Sequence, residues 1–206
     1  MRRYLVLLIP ILFISCKDSS RYTITAKERS LIDDENCLIT QRYPVLGGIA
    51  DSMTAMGMNQ YFKGALQLER RLKSCLEAEG QQRKVIIGDF VNHSLNDSLL
   101  SIELLMDLQE NGKRMKFYYP ISMKMPEVYV PSLEMLFGDS IFAKVRPKLD
   151  AWAKADSNRS YNKFAFKLGS NYAIPFCLSA DSLILYPGAE GEAIALNRLA
   201  ISRKEL

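Results

Sequence analysis

Apolar and polar residues alternate along residues 98–123, which predicts a long β-hairpin. Asn111-Gly112 at its centre is the preferred dipeptide of a two-residue type I′ turn, in which both positions need a positive φ. With Glu110 opposite Lys113, every second residue along each strand lies on one face, and every cross-strand pair on that face is apolar. These pairs are Leu108 with Met115, Met106 with Phe117, Leu104 with Tyr119, Ile102 with Ile121 and Leu100 with Met123. One face of the hairpin is therefore predicted to be buried. The other, largely polar face is predicted to be solvated.

Upstream, residues 51–80 have the periodicity of an amphipathic helix. Its apolar residues recur at spacings of three and four. They are Met58, Phe62, Ala65, Leu68, Leu72 and Cys75. Asp51 or Ser52 can cap the first turn and Gly80 can end the last. One long helix is predicted.

The remaining pattern adds shorter elements. Strands are predicted at 36–45, 84–91 and 193–199, a helical turn at 132–137, a second helix from about 139 to 155, and a second hairpin at 174–187 around Asp181-Ser182. The second helix contains Pro147, which must lie near its first turn or kink it. The predicted fold class is α+β: an antiparallel sheet with a long helix and a second, shorter helix packed on one face.

The first fifteen residues have the pattern of an export signal. Arg2-Arg3 precedes an apolar run of about a dozen residues, which is too short to span a bilayer. The run ends in Ser15-Cys16, which resembles a bacterial lipobox, so we predict cleavage after Ser15 and acylation of Cys16, including palmitate. A soluble secreted protein cut elsewhere is the alternative. The predicted organisation is a signal peptide at 1–15, a lipidated tether at 16–28 and one α+β envelope domain at 29–206.

Composition and charge narrow the class of protein. The 206 residues are 48% apolar and 24% charged, which is typical of a globular protein. The net charge of +4 comes with no basic run or nucleic-acid motif, so no nucleic-acid partner is predicted. Cys37, Cys75 and Cys177 remain after Cys16, which allows one disulfide and one free thiol. Because Cys75 and Cys177 fall on apolar faces, buried free thiols are the preferred interpretation.

Candidate chemistry is sparse. The only histidine, His93, follows a predicted strand, and no serine-nucleophile motif, metal-ligand spacing or phosphate-binding glycine loop accompanies it. We predict no catalytic residue, metal or cofactor. If the chain binds a ligand, the candidate site is the polar face of the first hairpin, where cations alternate beside an aromatic ring; an ordinary solvated strand is the preferred interpretation. The candidate residues are Arg114, Lys116, Tyr118 and Lys124.

Five segments together resemble a known family. They are Tyr43-Pro44-Val45-Leu46-Gly47, the helix containing Asn59, Leu100-Ser101-Ile102, the turn 132–137, and the closing pattern from Phe176 to Tyr186. They resemble the extracytoplasmic domain of RsiV-like anti-sigma factors and of PdaC-type peptidoglycan deacetylases. The resemblance implies a non-catalytic α+β envelope module, which in the anti-sigma members recognises lysozyme.

We therefore expect a binding or sensing module, held at a bacterial membrane by its lipid and facing the periplasm or the cell surface. Its expected partners are the membrane and a lysozyme-like protein or peptidoglycan. Two alternatives remain: an envelope hydrolase whose site includes His93, and a structural subunit of an envelope complex. The hydrolase requires His93 to reach a carboxylate and a hydroxyl in a concave pocket.

Overall fold

A computed structural model describes residues 21–76, 83–157, 159, 174–187 and 197–206. The predicted signal peptide, Cys16 and Gly80 lie outside these residues. The strands are β1 Thr23–Asp33, β2 Cys37–Gly47, β3 Lys84–Leu95, β4 Leu99–Glu110, β5 Lys113–Lys124, β6 Phe176–Leu178, β7 Ser182–Leu185 and β8 Leu199–Ser202. The α-helices are α1 Ser52–Gly64, α2 Leu68–Leu76, α3 Leu133–Phe137 and α4 Ile141–Lys154, which contains Pro147. None of these helices is long and apolar enough to cross a bilayer.

The strands form two sheets. The large sheet has the order β1-β2-β3-β4-β5 and is antiparallel except for the parallel pair β2-β3. The small sheet has the order β6-β7-β8 and is antiparallel. The predicted α+β class is confirmed.

The first hairpin has the predicted register. β4 and β5 pair from Glu110 with Lys113 to Leu99 with Lys124, and Asn111 and Gly112 both have positive φ. The second hairpin is also confirmed, since Leu178 faces Leu183. In both hairpins a local turn and a period of two fix the register.

The predicted long helix is two helices, α1 and α2. The chain turns at Gln67, which has a φ of 50°. This break brings Leu66 and Leu68 together over the sheet, where a Cβ on Gly88 would meet each of their Cδ1 atoms at 3.1 Å. In a continuous helix two residues separated by two positions point in nearly opposite directions, so only one of them could face the sheet. The prediction of one helix is therefore wrong.

The domain is built in layers, and its helices do not all pack on the same face of the large sheet. α1 and α2 pack on one face of the large sheet, around Phe62, Ile86 and Leu104. The small sheet lies on the opposite face, and α3 and α4 cover its far side through a second apolar cluster. The polar face of the first hairpin is consequently not all solvated, because Ser101, Glu103 and Ser122 are buried under the small sheet.

The cysteines pair differently from the preferred interpretation. Cys37 at the start of β2 and Cys75 in α2 form a disulfide, while Cys177 is free and buried. Free thiols were therefore wrong for the first two cysteines and right for the third. The disulfide ties α2 to the large sheet.

The two ends of the described chain also differ from expectation. β1 begins at Thr23 and pairs with β2 along its length, so the sheet begins inside the segment predicted as a tether to residue 28. Near the other end, the last strand is β8 at Leu199–Ser202, later than the predicted 193–199, of which residues 193–196 lie outside the described part. β1 lacks regular apolar alternation and β8 has only four residues, so neither strand gives a strong pattern in the sequence.

Candidate functional site

The small sheet meets the large one at a buried carboxylate, Glu103 of β4. Its side chain is 0% exposed and accepts four hydrogen bonds. Tyr186 Oη donates to Oε1 at 2.8 Å, and Arg198 Nη1 donates to Oε1 and Oε2 at 2.9 and 2.8 Å. His93 Nε2 lies 3.2 Å from Oε2. We call these four residues the Glu103 cluster.

The electrostatics of the Glu103 cluster keep this carboxylate ionised. Burial by itself would raise the pKa of Glu103, but hydrogen bonds from His93 and Tyr186 and the charge of Arg198 outweigh it, so the pKa lies below its ordinary value. In return, Glu103 raises the pKa of Arg198 against the opposing effect of burial. Burial, followed by the neighbouring Cys177 and Glu103, raises the pKa of Tyr186. The cluster is thus a fixed ion pair with a neutral tyrosine.

Three further hydrogen bonds join the two sheets. Ser122 Oγ donates to the carbonyl of Phe176 at 2.8 Å, and Ser101 Oγ accepts from the backbone N–H of Leu178 at 2.7 Å. The Cys177 thiol donates to the carbonyl of Ile102 at 3.2 Å. Burial raises the pKa of Cys177 to about 12, so this thiol remains protonated.

Beside the Glu103 cluster lies an open groove of about 320 Å³ on the outer face of β3, β4 and β5. We call it the outer groove. Its apolar floor includes Ile87 and Val91, which are 43% and 39% exposed, and Leu105 between them and Tyr118. Its rim is charged. The charged lining residues are Asp89, Glu103, Asp107, Arg114, Lys116 and Arg198.

Most of the rim charges are paired. Asp107 accepts from Nε of Arg114 at 2.8 and 3.0 Å, and this contact lowers the pKa of Asp107. Asp89 binds Arg42 at 2.8 Å. The outer groove is therefore an apolar strip between paired charges and has no strong net charge.

Arg198 joins the Glu103 cluster to the outer groove. Its guanidinium carbon lies 5.0 Å from the ring centroid of Tyr118, and 46% of its side chain is exposed. The Tyr118 and Tyr186 rings lie 6.3 Å apart. Glu103 thus holds a cation over an aromatic ring at the groove wall, and the remaining N–H groups of Arg198 can donate to a ligand.

The structure brings together three of the four predicted ligand residues. Arg114, Lys116 and Tyr118 line the outer groove. Lys124 does not, because it lies at the end of β5, six residues and about 20 Å from Tyr118 along the strand. Its carbonyl and N–H bind the following turn instead.

Sequence reasoning missed Arg198, Tyr186 and the apolar floor of β3. Arg198 lies 95 residues from Glu103 along the chain, so no local spacing could connect them. One signal was available in the sequence. Glu103 lies between Ile102 and Leu104, and its predicted cross-strand partner, Pro120, cannot pair with a charge. An acid in such a position can indicate a basic partner from elsewhere in the chain.

His93 meets only part of the requirement for a hydrolase. It reaches a carboxylate, but the hydroxyl in the cluster, that of Tyr186, donates to Glu103. No serine or threonine hydroxyl bonds to His93 within the described residues. Those residues also contain no group of three or more possible metal ligands.

Neither a known family model nor any curated protein matches this chain. Among solved structures, it is similar to a DUF3298 family protein from Pseudomonas aeruginosa PAO1, with a TM-score of 0.48 and 16% identity over 90% of both chains. It is also similar to a DUF3298 family member from Bacteroides fragilis NCTC 9343, with a TM-score of 0.42 and 12% identity over 88% of both chains. Both of these structural neighbours are DUF3298 family proteins.

Proposed function

We propose that this protein is a lipid-anchored, non-catalytic binding or sensing module of the bacterial envelope. Its ligand site is the outer groove. The observation that carries the proposal is the exposed strip of Ile87 and Val91 beside an arginine that a buried carboxylate holds in place. A fixed donor next to an exposed apolar strip is a feature of binding surfaces.

The chemistry of the outer groove favours a protein ligand over a cell-wall glycan. Ile87, Val91 and Leu105 offer aliphatic contacts, which apolar side chains of a protein segment can fill. A glycan platform needs an open aromatic face, whereas Arg198 stacks on the ring of Tyr118. The paired rim charges can still bind main-chain and polar groups of a partner.

The sequence resemblance also favours a protein ligand. The RsiV-like anti-sigma factors use their extracytoplasmic domain to recognise lysozyme, which is a protein. We therefore propose an RsiV-like role, with lysozyme or a lysozyme-like protein as the first candidate partner and peptidoglycan as the second.

A hydrolase has less support. A general acid needs a raised pKa, whereas the pKa of Glu103 is lowered. A general base needs a free lone pair directed at a substrate, whereas both oxygens of Glu103 already accept hydrogen bonds from the protein. The arrangement suits positioning rather than proton transfer.

The test is binding of the mature, full chain in detergent to lysozyme and, separately, to soluble peptidoglycan fragments. Ile87→Asp places a charge on the groove floor and should weaken binding at least tenfold. The matched control is Met56→Asp, which changes a residue of similar exposure, 55%, on α1. If both variants still bind lysozyme as tightly as the unsubstituted protein, the outer groove is not the ligand site. Binding of the glycan alone would overturn the choice of a protein ligand.

The lipid anchor has its own test. Cys16→Ser should abolish acylation and release the chain from membranes, because acyl chains contribute about 0.8 kcal/mol per buried methylene. An unchanged membrane fraction, or mass spectrometry showing an unmodified Cys16 in the native protein, would contradict the anchor.

A further inference from the structure

The start of the described chain lies at one end of the large sheet, together with several turns. The backbone N–H of Arg21 donates to Asp97 Oδ1 at 3.0 Å, in the turn between β3 and β4. A Cβ on Gly48, after β2, would lie 2.0 Å from the carbonyl oxygen of Arg21. The turn after β5 meets the same place, since the N–H of Met125 donates to the carbonyl of Ser98 at 2.9 Å. Residue 21 is therefore fixed at this end of the sheet.

This end also carries exposed apolar side chains. Tyr129 and Val130, in the turn after β5, are 39% and 70% exposed, and the carbonyl of Tyr129 accepts from the N–H of Lys124 at 2.8 Å. Met53, in the first turn of α1 and five residues beyond Gly48, is 69% exposed. We call these three residues the anchor-proximal surface.

Chain length decides what can cover the anchor-proximal surface. Arg21 follows the proposed lipidated residue, Cys16, by five positions, and five residues extend over at most about 18 Å. That reach is less than the diameter of a small domain. An end of the sheet tied to an acylated residue by this length of chain stays within about 18 Å of the lipid surface.

We propose that the anchor-proximal surface lies against the lipid bilayer, with Tyr129 and Val130 in the headgroup region. The inference rests on the lipid anchor of the proposed function. Tyrosine suits this position because its ring is apolar and its hydroxyl is polar. Charged residues at the same end are mixed in sign, so the contact is apolar and should change little with salt. They are Arg21, Lys124, Asp51, Asp97 and Glu127.

This placement orients the whole domain. The Asn111-Gly112 turn lies at the other end of β5, and Lys113 and Lys124 are eleven positions apart along this strand, about 37 Å. That turn therefore points away from the bilayer. The outer groove, along the side of the same strands, stays open to a partner in the aqueous phase.

The test uses the acylated full chain in vesicles of phosphatidylethanolamine and phosphatidylglycerol that carry nitroxide-labelled lipids. Val130→Trp reports on the anchor-proximal surface and Lys113→Trp is the matched control at the far turn, both in a Trp152→Phe background. Nitroxide at the headgroup should reduce the fluorescence of Trp at position 130 about twofold or more, as expected for a group 5–10 Å into the interface. The control should keep its fluorescence. Tyr129→Trp provides a second reporter.

The possible failures are distinguishable. If the protein floats with the vesicles but the reporters at 129 and 130 stay unquenched, or the control at 113 is quenched equally, the orientation is wrong and the anchor stands. If the acylated preparation does not float with the vesicles, the anchor fails and takes this inference with it.

Discussion

Replacing Glu103 by Gln tests the Glu103 cluster most directly. All of its partners donate to the carboxylate, and Gln offers one accepting oxygen and one donating NH2 group. The NH2 group must then face at least one donor of Arg198, and the charge of Arg198 loses its partner. Glu103→Gln preserves the volume of the side chain, so any effect comes from charge and hydrogen bonding.

The expected loss is large for one substitution. A hydrogen bond to a charged group contributes about 1.5–3 kcal/mol, and breaking a buried ion pair costs about 3–5 kcal/mol. Because the side chain of Arg198 is 46% exposed, its lost partner can be partly replaced by water, and we expect about 2–4 kcal/mol of the free energy of unfolding. In a domain of this size that lowers Tm by roughly 4–16 °C.

Urea unfolding followed by circular dichroism measures the change, with Asp33→Asn as the control. Asp33 pairs with Arg83 at the surface, where 67% of its side chain is exposed, so this variant should lose no more than about 1 kcal/mol. Equal stability of Glu103→Gln and the unsubstituted protein would refute the reasoning, since it would mean that the carboxylate is not needed to join the two sheets.

Three further predictions concern the pH dependence of stability, the disulfide and the free thiol. Because the pKa of Glu103 is lowered from its ordinary value of 4.5, its contribution to stability is fully present above pH 4.5 and is lost as the pH falls through the folded-state pKa; Glu103→Gln should flatten this acid limb in a pH series of urea midpoints, and an unchanged limb would contradict the assignment. Replacing both Cys37 and Cys75 by Ala opens a loop with a sequence separation of 38 residues, and from the loop-entropy relation we expect a loss of about 4 kcal/mol, checked by urea unfolding against the oxidised and reduced parent. Cys177, buried and with its pKa raised to about 12, should react with a thiol reagent at pH 8 only after unfolding, and rapid labelling of the native chain would show that the small sheet opens.

The first hairpin was predictable because its determinants are local. Asn111-Gly112 dictates the turn, and the alternation on either side allows only one register that buries a complete apolar face. α1 was predictable at its start for a similar reason, since the Asp51 carboxylate accepts from the N–H groups of Met53 and Thr54.

The end of α1 was not predictable in the same way. A helical stripe continued through residues 65–75, yet the chain breaks at Gln67 because the sheet surface at Gly88 accommodates both Leu66 and Leu68. The shape of a sheet formed by residues far along the chain decided this, and helical periodicity carries no information about it.

The candidate site shows the same difference between local and tertiary determinants. Arg114, Lys116 and Tyr118 were identified from alternation on a single strand, and the structure places them on one wall of the outer groove. Lys124 followed the same alternation and lies elsewhere, because a strand extends about 3.4 Å per residue and the groove is shorter than the strand. Periodicity gives the face of a strand and does not give the length of a site.

By itself, the sequence determined the α+β class, the registers of both hairpins and the stretch of β5 that borders the outer groove, since these depend on neighbours within a few residues or across a tight turn. Only the tertiary structure decided that Glu103 is buried, that Arg198 is its partner, that Cys37 pairs with Cys75, and which turns share an end of the sheet with Arg21. Each of these joins residues that are distant along the chain. Their proximity comes from stacking one sheet on another, which balances many weak packing contacts over the whole chain and leaves no short pattern in the sequence.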